Sequence, residues 1–255
     1  MKLKFLGTGT SNGVPVIGCP CEVCRSADPY DKRLRTAALV TTGTTQILID
    51  CGPDIREQLL RVPFRKLDAV LLTHEHYDHT GGLDDLRPYG VFGGVDIYAD
   101  EQTVKTVRHN FPYCFAEDRY PGVPDLNLHT LRPHEPLRIG DIDILPFTVL
   151  HDRLPILAFR IGTIAYITDM KTIEDTEMHW LDGIDTLILN ALRWEQPHHS
   201  HLIIPEAIVF AGRVGARRTF FTHLTHKAGL HGEAINRLPE GMEFAYDGLE
   251  ITCKE

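Results

Sequence analysis

No stretch of the 255-residue chain is apolar for long enough to span a bilayer, and the amino end lacks the pattern of a signal peptide. No membrane role is therefore expected, and the cytoplasm is the expected compartment. Positive charge is also scarce: 26 Lys and Arg stand against 35 Asp and Glu, a net charge of −9 with histidine neutral. A broad footprint on nucleic acid or on an anionic membrane needs the opposite sign, so an extended nucleic-acid partner is not expected. A small anionic substrate stays allowed, because bound metal ions reverse the local sign. Low-complexity tracts and short repeats are missing as well. With 43% hydrophobic residues, the chain can bury the core of one large domain or of two fused halves.

Cysteine is sparse and unevenly placed. Of six cysteines, Cys19, Cys21 and Cys24 crowd into six residues, whereas a disulfide framework in a chain this long would be spread out. A thiolate metal site in a reducing compartment is the better reading.

What the chain does have is histidine, most densely in His74-Glu75-His76-Tyr77-Asp78-His79. The apolar run Leu67–Thr73 precedes it, so the cluster sits where a buried strand ends and the chain turns outward. Imidazole and carboxylate suit zinc, manganese or iron. His74 and His76 are two apart and share one side of an extended chain, while Asp78 and His79 follow a bend and face a second point. Four donors this close divide more easily between two metals than crowd around one. Glu75 and Tyr77 hold the variable positions of the hexapeptide and are not read as ligands.

Other short β-branched and aromatic runs end in ligand-type residues: 46–50 in Asp50, 142–151 in His151, 163–169 in Asp169, 186–190 in Asn190 and 219–223 in His223. Ligands at such ends would converge on one edge of a sheet. The start, residues 1–7, also reads as a strand. Between the strands lie helical stretches at 53–62, 101–110, 173–181, 204–214 and 230–238. Pro53 suits a first helical turn, and Gly215 stands where a C-terminal cap belongs. Residues 126–152 have strand character, and 243–246 and 249–252 flank Asp247-Gly248, a two-residue hairpin signal. Residues 7–36 and 111–125 are the longest irregular regions. This order predicts two sheets packed face to face with helices outside.

The pattern His-x-His-x-Asp-His, followed by a His, an Asp and a His at successive strand ends, resembles the metallo-β-lactamase fold hydrolases, from Lys2 to about Ile251. Gly18-Cys19-Pro20-Cys21-Glu22-Val23-Cys24, with Thr222-His223-Leu224-Thr225-His226, narrows the resemblance to the phosphoribosyl cyclic phosphodiesterases of bacterial phosphonate breakdown and their relatives. The resemblance implies an α/β fold, a four-layer αββα sandwich, as a single domain over 1–255 with a zinc knuckle loop at about 18–25. It implies that His74, His76 and His151 hold one metal, that Asp78, His79 and His223 hold a second, and that Asp169 bridges them with a water or hydroxide. It also implies that Cys19, Cys21, Cys24 and His226 hold a structural zinc. The same knuckle occurs in a relative associated with quinone-cofactor biosynthesis, so it does not specify a substrate. Subunit number stays open, a homodimer being a form that relatives often take.

Catalysis is assigned to His201 and to the ligand Asp78. An imidazole titrates near neutral pH and suits a general acid, and His201 matches the family histidine that precedes the helix ahead of the last metal-ligand strand. His198 and His199 are read as exposed or at the pocket rim. Relatives often carry Ser or Thr two residues after this histidine as a helix cap; here the residue is Ile203. Asp50 is read either as a turn residue or as the acceptor for the second N–H of a ligand histidine.

The implied activity is hydrolysis of a small phosphodiester, such as a cyclic ribose or nucleotide phosphate. Two divalent ions, two carboxylates and a bridging hydroxide leave a formal charge of about +1, complementary to one phosphodiester anion. Arg33, Arg35 and Arg153 are candidates for a terminal phosphate of the substrate, although each taken singly reads as an ordinary solvated charge. The alternatives are an RNA-processing nuclease of the same fold, for which the acidic balance is unfavourable, and a non-hydrolytic protein of small-ligand binding or cofactor maturation.

Overall fold

A computed structural model describes residues 1–253, so the last two positions of the expected 1–255 domain lie outside the described residues. The strands in chain order are β1 (Lys2–Gly7), β2 (Ala37–Thr41), β3 (Gln46–Ile49), β4 (Ala69–Leu71), β5 (Val95–Ala99), β6 (Leu126–Thr130), β7 (Leu137–Ile139), β8 (Ile142–His151), β9 (Leu154–Ile161), β10 (Ile164–Ile167), β11 (Thr186–Asn190), β12 (Arg218–Thr222), β13 (Met242–Phe244) and β14 (Glu250–Thr252). They form two seven-stranded sheets, ordered β14-β1-β2-β3-β4-β5-β6 and β13-β12-β11-β10-β9-β8-β7. Within each sheet, β3 to β6 and β10 to β13 run parallel, and the remaining pairings are antiparallel. The helices are α1 (Glu22–Arg25), α2 (Ile55–Leu59), α3 (Tyr77–Thr80), α4 (Glu101–Asn110), α5 (Ile204–Val214) and α6 (His231–Ala234).

The two-residue period of a strand sorts side chains into layers. In β3, Ile47 and Ile49 join the core between the sheets, whereas Leu48 joins the core beneath α2 and α4. In β12, Phe220 faces the inner core and Phe221 the core beneath α5. Sheets buried on both faces explain why these runs read as continuously apolar. The result is the expected four-layer αββα sandwich of the metallo-β-lactamase type.

Four local expectations change. The predicted helix over 173–181 is only a 3-10 turn at Met178–Leu181. Glu177 turns inward there: its Oε2 accepts the backbone N–H of Thr148 at 3.0 Å, and both its oxygens face His134 Nε2 at 2.9 Å. That tie to β8 outweighs helix propensity. The Asp247-Gly248 turn joins no hairpin, because β13 pairs with β12 in one sheet and β14 with β1 in the other. The turn is captured from outside, as Asp247 accepts from Thr8 Oγ1 at 2.8 Å and from the Leu34 N–H at 2.7 Å, while the Gly248 N–H donates to Phe5 O at 2.7 Å. Finally, Pro53 precedes α2 rather than opening it, and the stretch 230–238 divides into α6 and a 3-10 turn at Ile235–Arg237.

Candidate active site and metal centre

The parallel strands place their carboxyl ends along one rim. Just beyond β3, β10 and β12 stand Asp50, Asp169 and His223, with φ of 62°, 57° and 57°. A non-glycine residue in the left-handed region costs on the order of 1 kcal/mol. Three such residues at three strand ends swing three polar side chains toward one point. His74 follows β4, α3 carries Asp78 and His79, and His151 ends β8.

The donors gather in two groups. His74, His76 and His151 bring one ligand atom each to within 4.8 Å of one another, and so do Asp78, His79, Asp169 and His223. Asp169 lies between them. Its Oδ1 is 3.2 Å from His223 Nδ1 and 3.4 Å from His79 Nε2. Its Oδ2 is 3.1 Å from His201 Nε2 and 4.0 Å from His74 Nε2. His79 Nε2 is buried with no hydrogen-bond partner. An unpartnered buried imidazole nitrogen among carboxylates fits a cation ligand, and the donor set suits a hard or borderline divalent ion.

Outer contacts fix the rings. His79 Nδ1 lies 2.8 Å from Asp50 Oδ2, and the N–H and hydroxyl of Thr73 both donate to Asp50. Asp50 is therefore tied to the candidate ligand His79 and is more than a turn residue. His74 Nδ1 lies 3.0 Å from Thr73 Oγ1, which already donates to Asp50, so this nitrogen carries the proton. His151 Nδ1 donates to Ser200 O at 2.9 Å, and His223 Nδ1 lies 3.2 Å from Thr36 Oγ1. For His79 and His151 such contacts leave Nε2 as the open donor atom, whereas His223 faces Asp169 with the same Nδ1 and has its Nε2 3.2 Å from Thr10 Oγ1.

Electrostatics agree with the donor count. Burial works against ionising Asp169, but His223 and His79 outweigh it and hold the carboxyl well below the ordinary range. Burial likewise opposes ionisation of Asp78, and His79 again wins. Burial pushes His74 well down and His223 down to about 4, leaving both imidazoles neutral and able to accept a metal. Burial would lower His79 too, yet Asp169, Asp50 and Asp78 raise it well above its usual value, another sign of a cation-seeking pocket.

His201 joins the same centre. Its ring stacks on His223 with centroids 5.0 Å apart and meets His151 edge-on at 4.5 Å. His198 is not a bystander at the rim: its Nδ1 lies 3.1 Å from His201 Nδ1 and accepts from the Ser200 N–H at 3.3 Å. Burial and the charges of His201 and His199 push it down to about 4, which suits an acceptor. His199 is exposed, as expected. Ile203 leaves no gap at the helix start, because Glu206 Oε2 accepts its N–H at 3.0 Å.

The arginine candidates separate. Arg33 is buried and points inward, donating to Thr8 Oγ1 at 2.8 Å and Ala245 O at 2.6 Å, so it is a structural tie and not a phosphate contact. Arg35 is also committed, to Asp54 at 2.8 Å and Ser11 O at 3.0 Å. Arg153 is exposed in the β8–β9 turn beside His151.

Beside the centre, Cys19, Cys21 and Cys24 surround His226 Nδ1 at 3.3, 3.2 and 3.5 Å. Cys21 Sγ accepts the Cys24 N–H, which leads the contacts that bring its thiol down to about 6, whereas burial pushes Cys24 up to about 11. All six cysteines are free. Four soft donors within 4.8 Å of one another fit a closed zinc site.

A family model, the beta-lactamase superfamily domain, matches residues 45–224. The chain belongs to the metallo-β-lactamase fold hydrolases. As such a hydrolase it is similar, at 43% identity over 256 residues, to the octanoyltransferase of Porphyromonas gingivalis; the match takes in 100% of this chain and 52% of that protein, so the chain spans about half the length of this curated relative. Among solved structures it is similar to a diphosphatase from the PhnP family, with 39% identity and a TM-score of 0.92, covering 99% of this chain and 98% of that one. Zinc-bound PqqB from Methylobacterium extorquens shares the fold at 20% identity and a TM-score of 0.79, covering 99% and 100% of the two chains. The chain thus carries two donor groups of the kind a metal-dependent family would use.

Sequence reasoning missed Thr36, Thr73 and the contact made by His198. Thr36 lies in the irregular 7–36 region, and neither spacing nor periodicity marks it. The one available signal was that His198 and His201 stand three apart in a histidine-rich run.

Proposed function

We propose that the chain is a dinuclear metal-dependent phosphodiesterase acting on a small phosphodiester or diphosphate. The observation that carries this reading is Asp169, whose two oxygens face two separate donor groups. In this reading His74, His76 and His151 hold one ion, Asp78, His79 and His223 hold the other, and Asp169 serves both. The bound ions would lower the pKa of a water and neutralise charge on the phosphoryl oxygens. Manganese, zinc and iron all accept this donor set. A structural zinc at Cys19, Cys21, Cys24 and His226 would pin the long 7–36 region against the site, and its thiolates suit a reducing compartment such as the cytoplasm.

His201 supplies the proton. With Nδ1–H directed at His198 Nδ1, its Nε2 presents the second proton beside Asp169, at the edge of the centre where a leaving oxygen departs. The 39% identical diphosphatase supports phosphoryl chemistry. The name of the Porphyromonas relative belongs to a protein of about twice the length, so its activity is not carried over to this chain. The net charge of −9 argues against a long nucleic acid. Among the described residues no helix is long and apolar enough to cross a membrane.

The test is hydrolysis of bis(4-nitrophenyl) phosphate by the manganese-loaded protein, beside Asp169→Ala and a precursor tRNA. Turnover is expected with the phosphodiester. Asp169→Ala is expected to lose both ions and at least about 10²-fold of the rate, since even a contact one step removed from a metal carries that much. Normal metal content in Asp169→Ala, or cleavage confined to the tRNA, contradicts the reading.

A further inference from the structure

Asn190 ends a strand beside the metal-donor positions, yet it stands in neither donor group described above. It is fully buried at the end of β11, the strand between β10 and β12. Its side chain is spent on one neighbour: Oδ1 accepts the Met170 N–H at 2.8 Å, and Nδ2 donates to the Met170 carbonyl oxygen at 3.0 Å. We propose that this two-point clamp makes Asn190 a positioning residue, which fixes the shared carboxylate of Asp169 and the proton donor His201 relative to each other. The proposal rests on the phosphodiesterase reading above and adds a residue that touches neither metal nor substrate.

The backbone explains why a clamp is needed. β10 keeps its ladder with β11 as far as Ile167, opposite Leu189, while β11 continues beside β12 to Asn190. Asp169 then turns the chain out of the sheet with a φ of 57°. The next residue, Met170, is buried beyond the end of that ladder, and its N–H and carbonyl need partners. A carboxamide offers an acceptor and a donor side by side, as a peptide group does. Asn190 therefore supplies the missing rung, directly after a residue held in a costly conformation.

Met170 is also where the segments that carry the site are joined. Its carbonyl oxygen accepts the Leu202 N–H at 3.0 Å as well, and Leu202 follows His201 just as Met170 follows Asp169. Lys171 donates its N–H at 2.7 Å to Leu150 O, one residue before His151. One buried carboxamide thus anchors the backbone bearing Asp169 and, through it, the segments bearing His201 and His151. Between the side chains themselves, His201 Nε2 stands 3.1 Å from Asp169 Oδ2. A displacement of about 1 Å between reacting groups costs on the order of 10²-fold in rate.

Asn190→Leu keeps the side-chain volume and removes both contacts. In the metal-free chain, backbone hydrogen exchange read by NMR is expected to quicken at least about tenfold more at Met170 and Leu202 than at Leu187 and Leu189 within β11. Equal quickening at all four positions means general destabilisation and overturns the proposal. Kinetics of the manganese-loaded variant add a readout that a merely structural role would not move. The leaving oxygen of methyl phenyl phosphate needs a proton far more than that of methyl 4-nitrophenyl phosphate. The variant's kcat is expected to fall at least about tenfold further on the phenyl ester, with KM changed less than about threefold. An equal fall on both esters overturns the proposal. If Asn190→Leu does not fold, the unaltered chain decides: the Asn190 side-chain amide and the Met170 and Leu202 N–H groups are expected to exchange at least about a hundredfold more slowly than those of exposed Gln196. Rates equal to those of Gln196 overturn the clamp. Should the unaltered protein hydrolyse neither ester, the phosphodiesterase reading falls, and the exchange rates still judge the clamp by themselves.

Discussion

At the scale of single residues, the centre depends on which nitrogen of each ring is tied back. Asp50, Thr73 and Ser200 hold the rings of His79, His74 and His151 from outside, while His223 is held through both nitrogens, by Thr36 at Nδ1 and Thr10 at Nε2. The clustering of the candidate ligands is legible in the sequence because chemistry demands rare residue types at strand ends. The holding contacts are not, because threonine and a backbone carbonyl occur everywhere and acquire meaning only from tertiary neighbours. Arg33 shows the reverse error: a basic residue near the knuckle looks like a phosphate contact until its burial against Thr8 and Ala245 is seen. His201→Ala should retain its metals and slow turnover by about 10²–10⁴-fold on a substrate with a poor leaving group. His198→Ala should cost about tenfold and shift the alkaline limb of the pH–rate profile, with His198→Gln, which keeps an acceptor, restoring most of the loss. Unchanged profiles in both variants would remove His201 as the donor and His198 as its support.

At the scale of elements, close backbone approach is as important as donor chemistry. A Cβ at Gly52 would sit 2.0 Å from the Asp78 carbonyl oxygen, so only glycine lets the chain after β3 lie against α3. Gly52→Ala should displace the Asp78–His79 segment and weaken metal binding at the second donor group at least tenfold, read by calorimetric metal titration. Full stoichiometry at native affinity would show that the segment yields without cost. The strands are legible from their apolar runs because both faces of each sheet are covered. The missing helix at 173–181 and the missing hairpin at Asp247-Gly248 were not, since both are decided by side-chain contacts to distant segments, Glu177 to β8 and Asp247 to Thr8 and Leu34.

At the scale of the whole molecule, the turn at Asp247 carries the chain from one sheet to the other, and burial raises its carboxyl to about 6 against the opposing hydrogen bonds from Leu34 and Thr8 and the charge of Arg33. The folded state therefore holds this proton more tightly than the unfolded state, whose carboxyl titrates near 4. The contribution is fully present below about pH 4 and is lost as pH rises through about 6, a change on the order of 3 kcal/mol. Asp247→Asn should flatten that part of the stability curve, measured as the difference in Tm between variant and parent from pH 4 to 7. A constant difference would mean that Asp247 is ionised throughout.

The central claim is that two cations share one carboxylate. Anomalous diffraction from crystals of the active protein, recorded at the absorption edges of manganese, iron and zinc, tests it most directly. Two peaks are predicted on either side of Asp169, one among His74, His76 and His151 and one among Asp78, His79 and His223, with a separate zinc peak at Cys19, Cys21, Cys24 and His226. A single peak at the centre, or none, in protein that still turns over contradicts the account.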